Sequence, residues 1–389
     1  MNDTTNDFQG SVSASGATIR LSDRNNIVLA NIDAAGNLEV IAVGTITDGA
    51  QTSAGGDINV AGGTSLSSTG GSNIVLDDAT NDFGGSVSAS GGTVGLADAN
   101  NIVLTDIDAT GNLNVTAVGA ISDGTQTAFG GDIDVAGAST LTSTGGSNIV
   151  LNDTTNDFQG SVSASGATIR LSDRNNIVLA DIDAAGNLEV IAVGTILDGL
   201  QTSAGGDINV QGSTKLTSTG GADILLNDAT NNFVRALSAS GGTITLSDTN
   251  NIVLDDIDAS GNLSVTVVGV ITDAGPRAAA GGDINVSGNT TLVSTSGANI
   301  ALNDPTNDFV GSVSASGATI RLSDVNDISL ADIDASGNLF IVVVGSIVDD
   351  GATAGTGSDV NVGGTAVLSA GGTIVLDDPN HDFVTPGTF

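Results

Sequence analysis

The sequence predicts an all-β fold, a right-handed parallel β-helix that runs as one repeat region from residue 1 to residue 389. Three observations carry this. A motif returns about every 75 residues, apolar residues alternate at period two within short segments, and large core side chains are scarce. The chain has 55 Gly, no Trp, no Tyr and 2 % aromatic residues, whereas a globular core of this length uses several large aromatics. Disorder does not fit either, because 39 % of the residues are hydrophobic and fall at regular spacing. Thin, repeated aliphatic layers account for both facts.

The long repeat is marked by Asn6-Asp7-Phe8, Asn81-Asp82-Phe83, Asn156-Asp157-Phe158, Asn231-Asn232-Phe233, Asn307-Asp308-Phe309 and His381-Asp382-Phe383. The Phe positions step by 75, 75, 75, 76 and 74, which defines five repeats. Residues 2–60 nearly match residues 152–210, two repeats away. A shorter period lies inside. Apolar-x-apolar triplets begin at Ile19, Leu38, Ile58, Ile74 and Val94, in steps of 19, 20, 16 and 20 residues. A second apolar anchor follows each triplet, at Ile27, Ile46, Leu66 and Phe83. Extended along the chain, this scheme gives 20 short units and predicts about 20 coils of about 19 residues. Leu38 and Val40 are expected to point inward and Asn37 and Glu39 outward. Each Phe fills a wide place in an otherwise aliphatic core. Turns such as Gly36-Asn37 and Ser72-Asn73 are expected to stack in one polar column, with Gly supplying positive φ.

The formal charge is −36, from 44 acidic against 8 basic residues. Such a surface repels phosphate backbones and anionic membranes. Nearly every acid is Asp, which suits tight turns through local backbone hydrogen bonds. There is no Cys, so no disulfide framework and no thiol chemistry. No apolar stretch is long enough for a transmembrane helix, and no signal peptide follows Met1. Met1 falls within a repeat, so the chain is expected to be a piece of a longer protein.

The segment Gly36 to Ile46, GNLEVIAVGTI, carries a G-x-L-x-V-x-A-x-G-x-I pattern that returns at Gly111 to Ile121 and Gly186 to Ile196. With it, the chain resembles the filamentous-haemagglutinin-like repeats of two-partner-secreted and autotransporter bacterial adhesins. That resemblance implies export across the outer membrane and a secreted or cell-surface location. It also implies a structural or adhesive stalk that meets a surface receptor, a glycan or a matrix protein.

No catalytic set emerges, and no enzyme is expected. His381 has no Ser or Cys partners and stands where the other repeats have Asn. The pairs Asp77-Asp78 and Asp349-Asp350 could in principle serve glycoside hydrolysis. The short turns and the lack of Trp and Tyr argue against a polysaccharide-active enzyme, which stays a remote alternative. Gly55-Gly56 and Gly130-Gly131 are not phosphate loops, because no helix follows them. Calcium is the sharper alternative, in an extracellular matrix or biofilm repeat protein. Asp106 and Asp108 fall on one side of a strand, as do Asp181 and Asp183, Asp256 and Asp258, Asp332 and Asp334, and Asn31 with Asp33. No Glu closes an EF-hand loop there, so no metal ligand and no cofactor is assigned. Neither terminus carries an amphipathic cap, which predicts that the chain associates end to end or frays at its terminal coils.

Overall fold

A computed structural model describes residues 5–49, 57–124, 132–199, 207–274, 283–349 and 359–383. It divides into two compact units, Met1–Ala192 with Thr202–Gly206, and Val193–Gln201 with Asp207–Phe389. Among the described residues the regular elements are all strands, and the registered pairings are parallel. Parallel strands that follow one another through short turns, each stacking on a strand one turn away, make a parallel β-helix.

The first repeat contributes β1 (Ser11–Gly16), β2 (Ile19–Asp23), β3 (Ile27–Ala34), β4 (Leu38–Ala42), β5 (Ile46–Asp48), β6 (Ile58–Val60), β7 (Thr64–Ser68), β8 (Ile74–Leu76) and β9 (Asp82–Phe83). The second continues with β10 (Ser86–Gly91), β11 (Val94–Asp98), β12 (Ile102–Ala109) and β13 (Leu113–Ala117). Period-two alternation sets the faces. Leu38 and Val40 are buried and Glu39 between them is only half-buried. Ile58 and Val60 are buried while Asn59 is exposed. The core consists of Ile, Leu, Val and Ala, with Phe83, Phe158, Phe233 and Phe309 each 1 % exposed. The Phe residues thus take the core role expected of them, at about 1.5–3 kcal/mol for each large side chain buried.

The strands form two walls. In the first unit one wall contains β1, β3, β5, β6, β8, β9, β11 and β13, and the other contains β2, β4, β7, β10 and β12. The registers differ from the regular coil expected from the triplets. Ile19 faces Leu38, Leu38 faces Thr64, Thr64 faces Val87 and Val87 faces Leu104, so successive turns consume 19, 26, 23 and 17 residues. Ile46 and Ile58 do not start separate turns. Both β5 and β6 lie side by side on the eight-residue β3, through Ile27 to Ile46 and Ile32 to Ile58. In the same way β8 sits on β5 and β9 on β6. A strand without a strong apolar signal, β10, fills a wall position with its buried Val87 and Ala89.

One 75-residue repeat therefore supplies seven wall positions (β1, β2, β3, β4, β5 with β6, β7, and β8 with β9). At two positions per turn this is three and a half turns, not four. The half turn moves each element to the opposite wall in the next repeat. Thus β1 lies in one wall, its counterpart β10 in the other, and Ser161–Gly166 back in the first.

The turn Asn residues bond to neighbouring backbone one turn on, while the turn glycines depart from expectation. The side-chain oxygen of Asn37 accepts from Gly63 N at 3.0 Å, and that of Asn73 from Thr93 N at 3.0 Å. Gly36 is required by close approach and not by positive φ, since a Cβ there would lie 2.5 Å from the carbonyl oxygen of Ala17. Among the described residues the left-handed glycines are Gly71, Gly146, Gly221 and Gly297.

Candidate functional site

The repeated Asn-Asp-Phe motif is first a structural clasp. Asn81 is fully buried. Its side-chain oxygen accepts from Ile58 N at 3.1 Å, and its amide nitrogen donates to Asp48 Oδ2 at 3.1 Å and to the Leu76 carbonyl at 3.3 Å. Asn156 bonds likewise to Ile133 N and Asp123, and Asn231 to Ile208 N and Asp198. The next residue but one, Phe83, donates its N–H to Asp98 Oδ2 at 3.0 Å, and Asp98 Oδ1 accepts from Asn100 N at 2.6 Å. Burial pushes Asp98, Asp248 and Asp324 above the usual carboxylate range and takes Asp173 to about 6. Perturbed carboxylates often mark functional sites. These four each accept two backbone N–H groups and are 1–2 % exposed, so they serve as clasps. Period-two alternation explains their inward placement: in the first repeat the run through Ile19 and Leu21 already puts Asp23 on the buried side.

The other residues singled out by sequence fall into the same framework. His381 takes the place of the motif Asn atom for atom. Its Nδ1 accepts from Val360 N at 3.1 Å and its Nε2 lies 3.3 Å from Asp349 Oδ2. Burial opposes ionisation of Asp349, but the N–H groups of Asp377 and Asp378 and the His381 ring outweigh it and lower the carboxyl. Asp78 closes a turn, accepting from Thr80 N at 2.9 Å and donating its own N–H to Asp48, while Asp77 is exposed beside it. Asp350, Gly55, Gly56, Gly130 and Gly131 lie outside the described residues.

The Asp-Ile-Asp pairs do present both carboxylates outward. Asp106 and Asp108 are exposed, and the same pattern holds for Asp181 and Asp183, Asp256 and Asp258, and Asp332 and Asp334. Burial, followed by the charges of Asp106 and Asp132, raises Asp108. Among the described residues no group of three or more His, Asp or Glu side chains is placed to hold a metal ion.

What the sequence did not reveal is how these carboxylates stack. On β3 the outward column runs Ser15, Asp33, Asn59, Asp82, one residue from each successive turn. It flanks a shallow groove of about 230 Å³, lined by Asp33, Asn59, Asp82 and the Ala34-Ala35 turn. The fourth repeat has the equivalent groove of about 360 Å³, with Ser240, Asp258, Ser260 and Asn285. The fifth has one of about 350 Å³, with Ser316, Asp334, Ser336, Asn361 and Asp382. In the second repeat the column reads Ser90, Asp108, Asp134, Asp157, and Arg174 spans its lower end at 3.3 Å from Asp134 and 2.7 Å from Asp157. Burial raises Asp134, its Asp neighbours add to this, and Arg174 opposes it. The groove offers carboxylate, amide and hydroxyl groups, the set that bonds to a polyhydroxylated or amide-rich surface.

Comparison with curated proteins and with solved structures gives no match. A family model described as repeats of unknown function (DUF5649) matches five times in succession, over residues 16–90, 91–165, 166–240, 241–316 and 317–389. These boundaries have the period of the Phe motif and tile the β-helix described above, so the chain belongs to the DUF5649 family as five tandem repeats.

Proposed function

We propose that the chain is a non-enzymatic structural and adhesive stalk of a secreted or surface-displayed bacterial protein. The observation that carries this reading is the return of one polar groove at the same place in the repeat. Weak sites repeated along one scaffold bind a repetitive partner with an avidity far above that of any single site. The groove chemistry suits a glycan or a polar matrix protein. The pattern from Gly36 to Ile46 resembles that of filamentous-haemagglutinin-like repeats, and that resemblance supports the reading of a surface location. The charge of −36 supports a solubilising side wall that avoids nucleic acid and anionic lipid.

The test is adhesion of beads coated with the full chain to surfaces bearing collagen, mucin or neutral polysaccharide. Beads coated with an unrelated acidic protein are the control. Retention above control on at least one surface is expected, and it should fall when Asp33, Asp258 and Asp334 are all replaced by Ala. Retention at the control level on every surface would defeat the adhesive reading.

A further inference from the structure

The outward column of carboxylate and amide side chains recurs from repeat to repeat, and in the second repeat the chain itself fills it. The guanidinium of Arg174 lies on that column, with Nη2 3.3 Å from Asp134 Oδ1 and 2.7 Å from Asp157 Oδ2. Its Nε donates to the same Asp157 oxygen at 3.2 Å. The side-chain amides of Asn175 and Gln159 also donate to Asp157, at 3.2 Å and 3.5 Å. Asp157 is 5 % exposed in consequence. One repeat thus displays, within the protein, the kind of group that the column holds.

The first and fourth repeats carry the same column with the covering side chains trimmed. In the first, Asp33, Asn59 and Asp82 stand in register, and Ala99 and Gly84 take the places of Arg174 and Gln159. In the fourth, Asp258, Asn285 and Asp308 stand in register, with Val325 and Val310 at those places. The backbone beneath is unchanged. The N–H of Arg174 donates to the Asn156 carbonyl at 2.8 Å, that of Ala99 to Asn81 at 2.7 Å, and that of Val325 to Asn307 at 2.8 Å. Asp82 and Asp308 are half-buried where Asp157 is buried. Asp33, Asn59 and Asp82 line the groove of the first repeat, and Asp258 and Asn285 that of the fourth.

We infer, on the reading that the groove is the adhesive contact, that its two trimmed columns receive arginine side chains from a basic polypeptide segment of the partner. Each incoming guanidinium takes the seat that Arg174 takes, between the last carboxylate of the column and the residue one turn before it. That residue is Asn59 in the first repeat and Asn285 in the fourth. The Asn285 amide donates to Asp258 at 3.2 Å, which leaves its oxygen as an acceptor. A guanidinium is planar and weakly hydrated and carries five donors, so one side chain can bridge acceptors on strands about 4.8 Å apart. A neutral glycan offers hydroxyls but brings no positive charge to the carboxylates. The charge of −36 draws a basic segment in, and the columns decide where it settles.

The probe is a fluorescent peptide of alternating Gly and Arg, titrated with the full chain in physiological salt, where charges more than about 8 Å apart are largely screened. The same peptide with citrulline for Arg keeps the shape and loses the charge. One variant fills both seats from within, Ala99→Arg with Val325→Arg. A second adds the same two charges elsewhere, Val43→Arg with Val344→Arg, on exposed turns that follow Leu38–Ala42 and Leu339–Val343. Both variants should melt with the wild type, since Arg174 already holds the first position in a folded repeat. The filled variant should bind the Arg peptide about tenfold or more weakly, the loss of a charge-assisted hydrogen bond. The second variant should stay within about twofold of wild type, and the citrulline peptide should not bind. Equal weakening in the two variants means attraction by net charge alone and overturns the seats, as does equal binding of the citrulline peptide. If the wild type does not bind the Arg peptide while coated beads are still retained on neutral polysaccharide, the seats fall and the adhesive stalk stands. If the seats hold the peptide while beads stay at the control level on every surface, the stalk falls and the seats stand.

Discussion

Replacing Asn156 by Ala removes the clasp of one turn while leaving the aliphatic core intact. One buried group loses its partner, the N–H of Ile133, a residue with 0 % exposure, and the half-buried carboxylate of Asp123 loses one donor, the Asn156 amide at 3.2 Å, while keeping Asp153 N at 2.8 Å. An unsatisfied buried group costs about 1–3 kcal/mol and a hydrogen bond to a charged group contributes about 1.5–3 kcal/mol, so the loss should be about 3–5 kcal/mol. Turns of a solenoid couple mainly to their neighbours, so the damage should be local. The fifth repeat supplies the control, because His381 makes both bonds with its ring nitrogens. Asn156→His should therefore lose much less than Asn156→Ala. The assay is hydrogen exchange of peptides spanning 133–135 and 149–158, with a denaturant melt beside it. Equal loss of protection in the two variants would refute the clasp as the reason for Asn at this position. Uniform loss over all five repeats would refute local coupling.

Phe158→Ala should cost about 3–5 kcal/mol near its own turn, as other buried aromatics do, and exchange measured along the chain will show whether the loss stays there. Thr290 is 1 % exposed and its hydroxyl finds no partner, so Thr290→Val should stabilise by about 1 kcal/mol, read as a higher melting temperature; a lower one would mean the hydroxyl is satisfied. Asp98, Asp173, Asp248 and Asp324 have carboxyls raised above 3.8, to about 6 for Asp173, so the folded chain holds protons that the unfolded chain releases. Their contribution is fully present below 3.8 and is lost as pH rises through each raised value, about 6 for Asp173. Melting temperature should thus be higher at pH 5 than at pH 7.5, and Asp173→Asn should flatten that slope; a flat wild-type profile would contradict the assignment. Melts in calcium and in chelator should coincide, and a rise of many degrees with calcium would return the Asp-Ile-Asp pairs to metal binding.

The parallel β-helix was legible because its core writes a period-two pattern that nothing else in the chain imitates. Leu38 and Val40, or Ile58 and Val60, announce their strands directly, and the Phe motif counts the repeats. The number of turns per repeat was not legible. Ile46 and Ile58 look like strands of different turns, and only β3, long enough to carry both, shows that they share one. β10 is missed by the triplet scheme, because its inward residues are only Val87 and Ala89. The grooves were hidden for a related reason. Asp33, Asn59 and Asp82 are 26 and 23 residues apart, and which residues stack depends on turn lengths that vary along the chain. The role of Asn81 was hidden as well, since a polar residue beside a strand suggests a turn, and its burial follows from a carboxylate and an N–H that arrive from earlier turns.

The half turn left over in each repeat imposes a parity on any change of length. Arg20 with Glu39 and Arg170 with Glu189 form ion pairs in the same wall, two repeats apart. In the intervening repeat the matching residues are Gly95 and Asn114, and they lie in the opposite wall. Inserting or deleting one repeat would carry every later side chain across to the other side and mix charged with uncharged rows. Inserting or deleting two would leave each side with its own chemistry. The near match of residues 2–60 with 152–210 is what growth by pairs would leave behind, a ruler whose smallest safe division is twice the repeat that the sequence displays.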